Sequence, residues 1–262
     1  MAPDAESGSD GALAHLSARI GRWLSTARWF PGKDRGPCRA TVIDLIGIPG
    51  TEGLAVALVE AAGAVLVVPI DPRTGLDAAT DPALAAALAR LALDGGNVKG
   101  LRGDLVGRPI MARVAGDGQR RRGGGIPAVG SLVRPLGADA SNTSLVIERR
   151  PAADGAVVLK LFRQARPGIH PEVEFGTFFA ASTDWRETPS FHGWVEYLAT
   201  ERNGQPAAVA TLHAFEAGCR SAWDVLVGWS TDGGFDGPRR EPILALVRRL
   251  GAVTARMHRA LA

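Results

Sequence analysis

Lysine is nearly missing from this chain. Lys33, Lys99 and Lys160 are the only lysines in a basic complement of 30, the rest being arginine, and 27 acidic residues stand against them. The resulting formal charge of +3 excludes a strongly basic nucleic-acid binder. The one basic run, Gln119-Arg120-Arg121-Arg122 followed by Gly123-Gly124-Gly125, reads as a solvated loop. Cysteine is as scarce: Cys38 and Cys219 lie far apart without metal-ligand spacing, which excludes a disulfide framework and a zinc site and points to a reducing interior. Long apolar runs are also lacking, since the stretch from Leu54 to Ile70 is broken by Glu60 and falls short of the roughly 20 residues of a membrane span. The first ten residues carry three acids and no Lys or Arg, the reverse of a signal-peptide start, so a cytoplasmic protein with a disordered beginning is expected. The five histidines show no i, i+4 pairing and no Ser or Cys sits in a nucleophile elbow, which leaves metalloenzyme and hydrolase chemistry without support.

What is present is 46% apolar side chains over 262 residues, enough for two modules and the start of a third. Leu13, Leu16, Ile20 and Leu24 recur at helical spacing behind Ser9/Asp10 and predict a helix over Gly11 to Thr26. Arg39 to Ile48, Leu54 to Glu60 and Ala64 to Ile70, separated by glycine turns, predict an antiparallel meander. Asp81 as N-cap, Pro82 at the first helical position and Gly95-Gly96 as a stop predict a helix over Pro82 to Leu93. Residues 1–98 thus read as a small α+β module. Beyond it, strand signal over Gly100 to Val114 and Ala128 to Leu136 leads into a hairpin of Thr143 to Glu148 and Val157 to Phe162, joined by a loop with Pro151 and Asp154-Gly155. A short helix from Pro171, strands over Trp194 to Thr200 and Ala207 to Phe215, and an amphipathic helix over Glu241 to Ala262 complete the pattern.

Candidate chemistry concentrates around the hairpin. Asp139-Ala140-Ser141-Asn142-Thr143-Ser144 packs amides and hydroxyls suited to phosphate oxygens, although an ordinary Asx/Ser turn has the same composition. Lys160 shares a strand face with Val158 and Phe162. A lysine kept there in an arginine-rich chain suits a compact charge on a nucleotide phosphate with a carboxylate counter-ion, and Glu174 on the following helix is the candidate. The alternative is an edge-strand lysine reaching to water. The six tryptophans, Trp23, Trp29, Trp185, Trp194, Trp223 and Trp229, read as packing residues before carbohydrate platforms. Arg28, Lys33 and Arg35 suit module packing at least as well as an anion site.

A polar phosphate loop, a strand lysine and a helix glutamate arrive in the order of a kinase N-lobe. Arg134-Pro-Leu-Gly-Ala-Asp-Ala-Ser-Asn-Thr-Ser-Leu-Val-Ile147, Val158-Leu-Lys-Leu-Phe-Arg163 and Pro167-Gly-Ile-His-Pro-Glu-Val-Glu174 resemble the bacterial maltokinases, including those fused to trehalose synthase. Ala27-Arg-Trp-Phe-Pro-Gly-Lys-Asp-Arg35 resembles the signature of that family's N-terminal cap domain, and Trp223 and the run from Leu250 to Leu261 follow its pattern. The resemblance implies an α+β architecture. It consists of a helix-plus-antiparallel-sheet cap domain (1–98), a protein-kinase-like N-lobe (99–216) and the first helices of a C-lobe (217–262).

It further implies an aminoglycoside-phosphotransferase-like enzyme using ATP and Mg2+ to phosphorylate a sugar, maltose in the maltokinases. Ser141, Asn142, Thr143 and Ser144 would cover the ATP phosphates, Lys160 would hold the α/β-phosphates, Glu174 would orient Lys160, and His213, Ala214, Phe215 and Glu216 would form the adenine hinge, read by backbone rather than side chain. Ala140 and Ser221-Ala222 depart from the family pattern. No catalytic Asp and no acidic metal ligand follows the hinge, since His258-Arg259-Ala260 keeps helical periodicity. The expectation is a fragment with its metal ligands in a missing C-lobe, binding nucleotide without transferring phosphate. A non-catalytic interaction module docking on a trehalose synthase or other glucan enzyme, and a glucosamine or other amino-sugar kinase, are the alternatives.

Overall fold

The computed structural model describes residues 5–33, 36–112, 121–122, 132–137, 141–148, 155–182, 185–200, 204–231 and 240–262. In chain order the elements are α1 (Ala5–Leu24), β1 (Ala40–Gly47), β2 (Ala55–Ala61), β3 (Ala64–Asp71), β4 (Leu76–Asp77), α2 (Pro82–Asp94), β5 (Gly96–Lys99), β6 (Gly103–Pro109), β7 (Met111–Ala112), β8 (Arg121–Arg122), β9 (Val133–Pro135), β10 (Asn142–Ile147), β11 (Val157–Phe162), α3 (Pro171–Ser182), β12 (Phe191–Ala199), β13 (Ala207–Ala214), α4 (Ala222–Thr231) and α5 (Arg240–Leu261). The expected α+β class is the class observed. Two compact units are formed, one of residues 1–181 and 190–215, the other of 182–189 and 216–262.

In the first unit the predicted meander forms a four-stranded antiparallel sheet ordered β1-β2-β3-β4. Its two central strands are apolar at nearly every position because both faces are covered. Ala55, Ala57, Val59 and Ala61 of β2 pack with Leu66, Val68 and Ile70 of β3 against Leu16, Ile20 and Leu24 of α1. Val56, Leu58 and Val67 point the other way, into a core shared with α2 and with the inner face of a second sheet. Helix α1 begins at Ala5, so it takes in part of the acidic start expected to be disordered.

Helix α2 starts where its caps predict. The Asp81 carboxylate accepts hydrogen bonds from the amides of Ala83 (2.8 Å) and Leu84 (3.1 Å), and the Gly95 amide closes the last turn on the Leu91 carbonyl. Alanines at 85, 86, 87, 89 and 92 keep the helix thin enough to lie in the shared core. Gly107 of β6 serves the same end, since a methyl group there would overlap the Leu91 carbonyl oxygen.

The second sheet is antiparallel with seven strands, ordered β5-β6-β12-β13-β11-β10-β9. Strand β5 already belongs to it, so an expected boundary at 98/99 falls inside a strand. The sheets on either side also share one core. Main-chain bonds join them directly: the Val67 amide donates to the Arg163 carbonyl and the Ala165 amide to the Val65 carbonyl. Asp44, fully buried on β1, accepts from the amides of Leu101 and Arg102 and from the Tyr197 hydroxyl of β12 at 2.7 Å. Burial first, and then the bond to this carboxylate, push the Tyr197 phenol well above its ordinary pKa.

In the second unit, Ser221 caps α4. Its hydroxyl accepts from the Asp224 amide, which gives the departure from the expected acidic-small pair a local role. Helix α5 runs unbroken through His258, in keeping with a helix and not a loop at that point, and Arg256 grips Glu187 through Nε (2.5 Å) and Nη2 (2.6 Å). Of the Arg/Gly loop only Arg121 and Arg122 are described, as β8 paired with β7. The remainder, together with Asp34, Arg35, Asp139, Ala140 and the hairpin loop at 149–154, lies outside the described residues.

Candidate functional site

The predicted hairpin is β10-β11, in register from Asn142↔Phe162 through Ile147↔Val157. Asn142, Thr143 and Ser144 are therefore strand residues, and Ser141 stands at the strand's entrance, where a loop over all four was expected. Alternation then separates them. Ser144 lies opposite Lys160 and Asn142 opposite Phe162, on the face that carries the lysine, whereas Thr143 lies opposite Leu161, on the face buried against the shared core. The Thr143 hydroxyl accepts from Arg163 Nε at 2.9 Å, so this side chain is committed to the cap side and not to a phosphate face.

Lys160 has the carboxylate partner the sequence calls for, but it is Glu172. The ammonium donates to Glu172 Oε2 at 2.7 Å, with both side chains about a quarter exposed (29% and 26%). Glu174, expected in this role, is exposed two residues further along α3. The difference arises at the helix start, where Pro171 occupies the first helical position. The His170 carbonyl accepts from Val173 and Glu174, and His170 Nδ1 accepts from the Glu172 amide at 3.2 Å. The His170 ring stacks on Phe162 at 4.0 Å between centroids, which ties the helix start to the end of the lysine strand. Burial lowers the pKa of His170, in keeping with a neutral ring that accepts at Nδ1.

The other oxygen of Glu172, Oε1, accepts from Thr211 Oγ1 at 3.0 Å and lies 3.1 Å from His213 Nε2, a contact that puts the imidazole proton on Nε2. Burial alone would raise the Glu172 pKa. Hydrogen bonds with His213, Lys160 and Thr211, with the charge of Lys160, outweigh it and hold the pKa at about 2. One carboxylate thus gathers a strand lysine, a strand threonine and a strand histidine, and remains ionised at any ordinary pH.

His213 enters the site through its side chain, where the hinge reading gave side-chain identity no weight. Around it the Ala214 amide donates to the Ser190 carbonyl and the Phe215 amide to the Ala156 carbonyl, while Glu216 opens the second unit. The guanidinium of Arg134 lies over the Phe215 ring, 5.3 Å from its centroid. Among the described residues no three His, Cys, Asp or Glu side chains converge as a metal site.

Sequence reasoning missed Arg163. It is 3% exposed, donates from Nη2 to Asp77 Oδ2 of β4 at 2.9 Å and from Nε to Thr143, and lies over the Trp29 ring 4.5 Å from its centroid. Burial weakens its hold on its proton and Asp77 works against that. Its Nη1 is buried without a hydrogen-bond partner among the described residues.

What the arrangement offers chemically is a half-open ammonium, held in place by an anchored carboxylate, on a polar sheet face with Ser144 across the strand pair. No helix among the described residues is long and apolar enough to cross a membrane. Compared with known proteins, residues 23–98 match the family model of the maltokinase N-terminal cap domain. Among solved structures the chain is similar to a glucosamine kinase with a TM-score of 0.49 and 21% identity. The likeness takes in 100% of this chain and 53% of that one, so this chain spans about half the length of the kinase it matches.

Proposed function

We propose that this chain carries the cap domain and the nucleotide-binding lobe of an ATP-dependent sugar phosphotransferase of the maltokinase type, the reaction being maltose and ATP to maltose 1-phosphate and ADP. The observation that carries the reading is the Lys160–Glu172 pair, placed on a strand and on the helix that follows it, next to a segment matched to the maltokinase cap. In phosphoryl transfer on this kind of lobe a strand lysine holds nucleotide phosphates and a helix glutamate keeps it in place. Glu172 suits that second part because its other oxygen is fixed by Thr211 and His213, leaving Oε2 for the ammonium. Lys160 is a compact point charge with three donors, of which Glu172 takes one.

Ser144 and Asn142 share the lysine's face and, with Ser141 at the strand entrance, would line the phosphate side. The hinge at His213 to Glu216 remains part of the reading through main-chain groups other than the Ala214 and Phe215 amides, which bond Ser190 and Ala156, with His213 serving Glu172 as well. No residue of this chain is assigned to the transfer step. A cytoplasmic location, and association with a trehalose synthase or other glucan enzyme, follow from the same reading.

The test is calorimetric titration of the full chain with magnesium and ATP, beside Lys160→Ala. Wild type is expected to bind and the variant to bind at least about tenfold more weakly, because a hydrogen bond to a charged group contributes on the order of 1.5–3 kcal/mol. A folded wild type that does not bind ATP, or unchanged affinity in Lys160→Ala, overturns the reading. Parallel phosphorylation assays with maltose and glucosamine separate the two acceptors in a form of the protein that supports transfer.

A further inference from the structure

We propose that the cap acts on the nucleotide site, and that Arg163 is the positioning residue through which it does so; the proposal rests on the nucleotide-binding reading of Lys160. Arg163 follows β11 directly, three positions after Lys160. Its guanidinium reaches two separate parts of the cap, Asp77 of β4 and the ring of Trp29. With its remaining fork it holds Thr143, the neighbour in sequence of Ser144, which stands opposite Lys160. Its carbonyl accepts from Val67 of β3. One residue thus fixes the strand that carries the lysine, the strand that carries the serine, and two places in the cap.

The chemistry argues against a role in stability alone. Apolar side chains at both 163 and 77 would fill the same space without stranding a buried N–H, whereas Arg163 leaves Nη1 without a hydrogen-bond partner among the described residues. Replacing both members of a buried ion pair by apolar residues is commonly neutral or stabilising, whereas removing one member alone is costly. What an arginine does here that a hydrophobe cannot is impose direction, since its planar fork sets three groups at fixed angles. The consequence is reciprocal: whatever shifts Asp77 or Trp29 shifts the position of the β10-β11 hairpin at the phosphate side, and nucleotide on Lys160 stiffens the cap contact in turn.

The experiment measures magnesium-ATP affinity of the full chain by calorimetry for wild type, Asp77→Asn, Arg163→Lys and Asp81→Ala, at a temperature where all four give the same far-ultraviolet circular dichroism. The Asp81 carboxylate caps α2 on the Ala83 and Leu84 amides, and no hydrogen bond or ion pair among the described residues joins it to Arg163, Asp77, Thr143 or Trp29, so its variant loosens the fold without removing a member of the Arg163 connection. Asp77→Asn and Arg163→Lys are expected to weaken ATP binding at least roughly fivefold, the lower end of coupling between sites, while Asp81→Ala lowers the melting temperature and leaves affinity unchanged. Wild-type affinity in Asp77→Asn and Arg163→Lys overturns the proposal, as does equal weakening in all three variants. If Arg163→Lys does not fold, Thr143→Val combined with Asp77→Asn takes its place. Failure of wild type to bind ATP, or binding that Lys160→Ala leaves intact, removes the nucleotide reading and this proposal together. ATP binding that depends on Lys160 but not on Asp77 or Arg163 removes this proposal alone.

Discussion

Lys160 and Arg163 stand three positions apart, each paired with one carboxylate, and the two pairs are built in opposite ways. Lys160 meets Glu172 on the polar face of the second sheet, with both side chains partly open to water. Arg163 meets Asp77 on the opposite side, its guanidinium closed in by Trp29 and Thr143. The open pair uses a rotatable ammonium that keeps donors to spare, and its anion is the over-coordinated member. In the closed pair the cation is the member with several partners, Asp77, Thr143 and the Trp29 ring, and its Nη1 has no hydrogen-bond partner among the described residues. The contrast shows how one strand and its continuation separate a charge kept for a ligand from a charge that ties the hairpin to the cap.

The strongest way to break the comparison is to remove the closed cation. Arg163→Met should destabilise the chain by about 3 kcal/mol, the low end for breaking a buried pair because Asp77 is itself a quarter exposed, read as a fall in the denaturation midpoint. If the loss is no larger than that of Lys160→Ala, the closed pair is not the structural one.

Next in size is the pH response of the open pair. The folded-state pKa of Glu172 is about 2, below its ordinary value of 4.5, so its ionised form favours the fold. That contribution is complete above about pH 4.5 and disappears as pH falls toward 2. The melting temperature of Glu172→Gln should therefore lie below that of wild type at pH 6, and the two curves should converge between pH 4.5 and 2. Parallel curves would show that Glu172 is not the anion that anchors this face.

A smaller effect belongs to Thr143→Val, which keeps the shape but removes the oxygen that accepts from Arg163 Nε. About 2 kcal/mol of stability should be lost, since the bond comes from a buried charged group, seen by chemical denaturation. The smallest belongs to the exposed pair Arg73–Asp71 in the turn after β3. Arg73→Ala should leave the melting temperature unchanged within error, since solvent screens such pairs, and a clear drop would show that exposure does not divide strong pairs from weak ones here.

Much of this architecture was legible residue by residue. Asp81, Pro82 and Gly95 mark α2 because capping and ring geometry are local, and the glycine turns around Leu54 to Ile70 mark the meander. Lys160 was legible because a lysine among arginines and apolar neighbours needs a partner. Which glutamate supplies it was not: Glu172 and Glu174 share the first turn of α3 but point in different directions, and the choice is made by the stacking of His170 on Phe162. The parity of Thr143 and Ser144 follows from strand alternation once the register with β11 is known, and the register is tertiary information. Strand β5 was hidden because Gly95-Gly96 reads as a stop. The shared core did leave a trace, since β2 and β3 are apolar on both faces, the mark of a sheet covered twice.

The Asp44–Tyr197 bond spans 153 positions. As the chain emerges from the ribosome, the cap's carboxylate is made long before the phenol that completes its shell, a delay of about 8–30 seconds at about 5–20 residues per second. For the first part of that time the second apolar face of the first sheet has only α2 against it, until β10 and β11 have been made. The Asp44 shell is therefore begun early and closed late, and the cap's inner face is open to wrong association until the strands that cover it have been made.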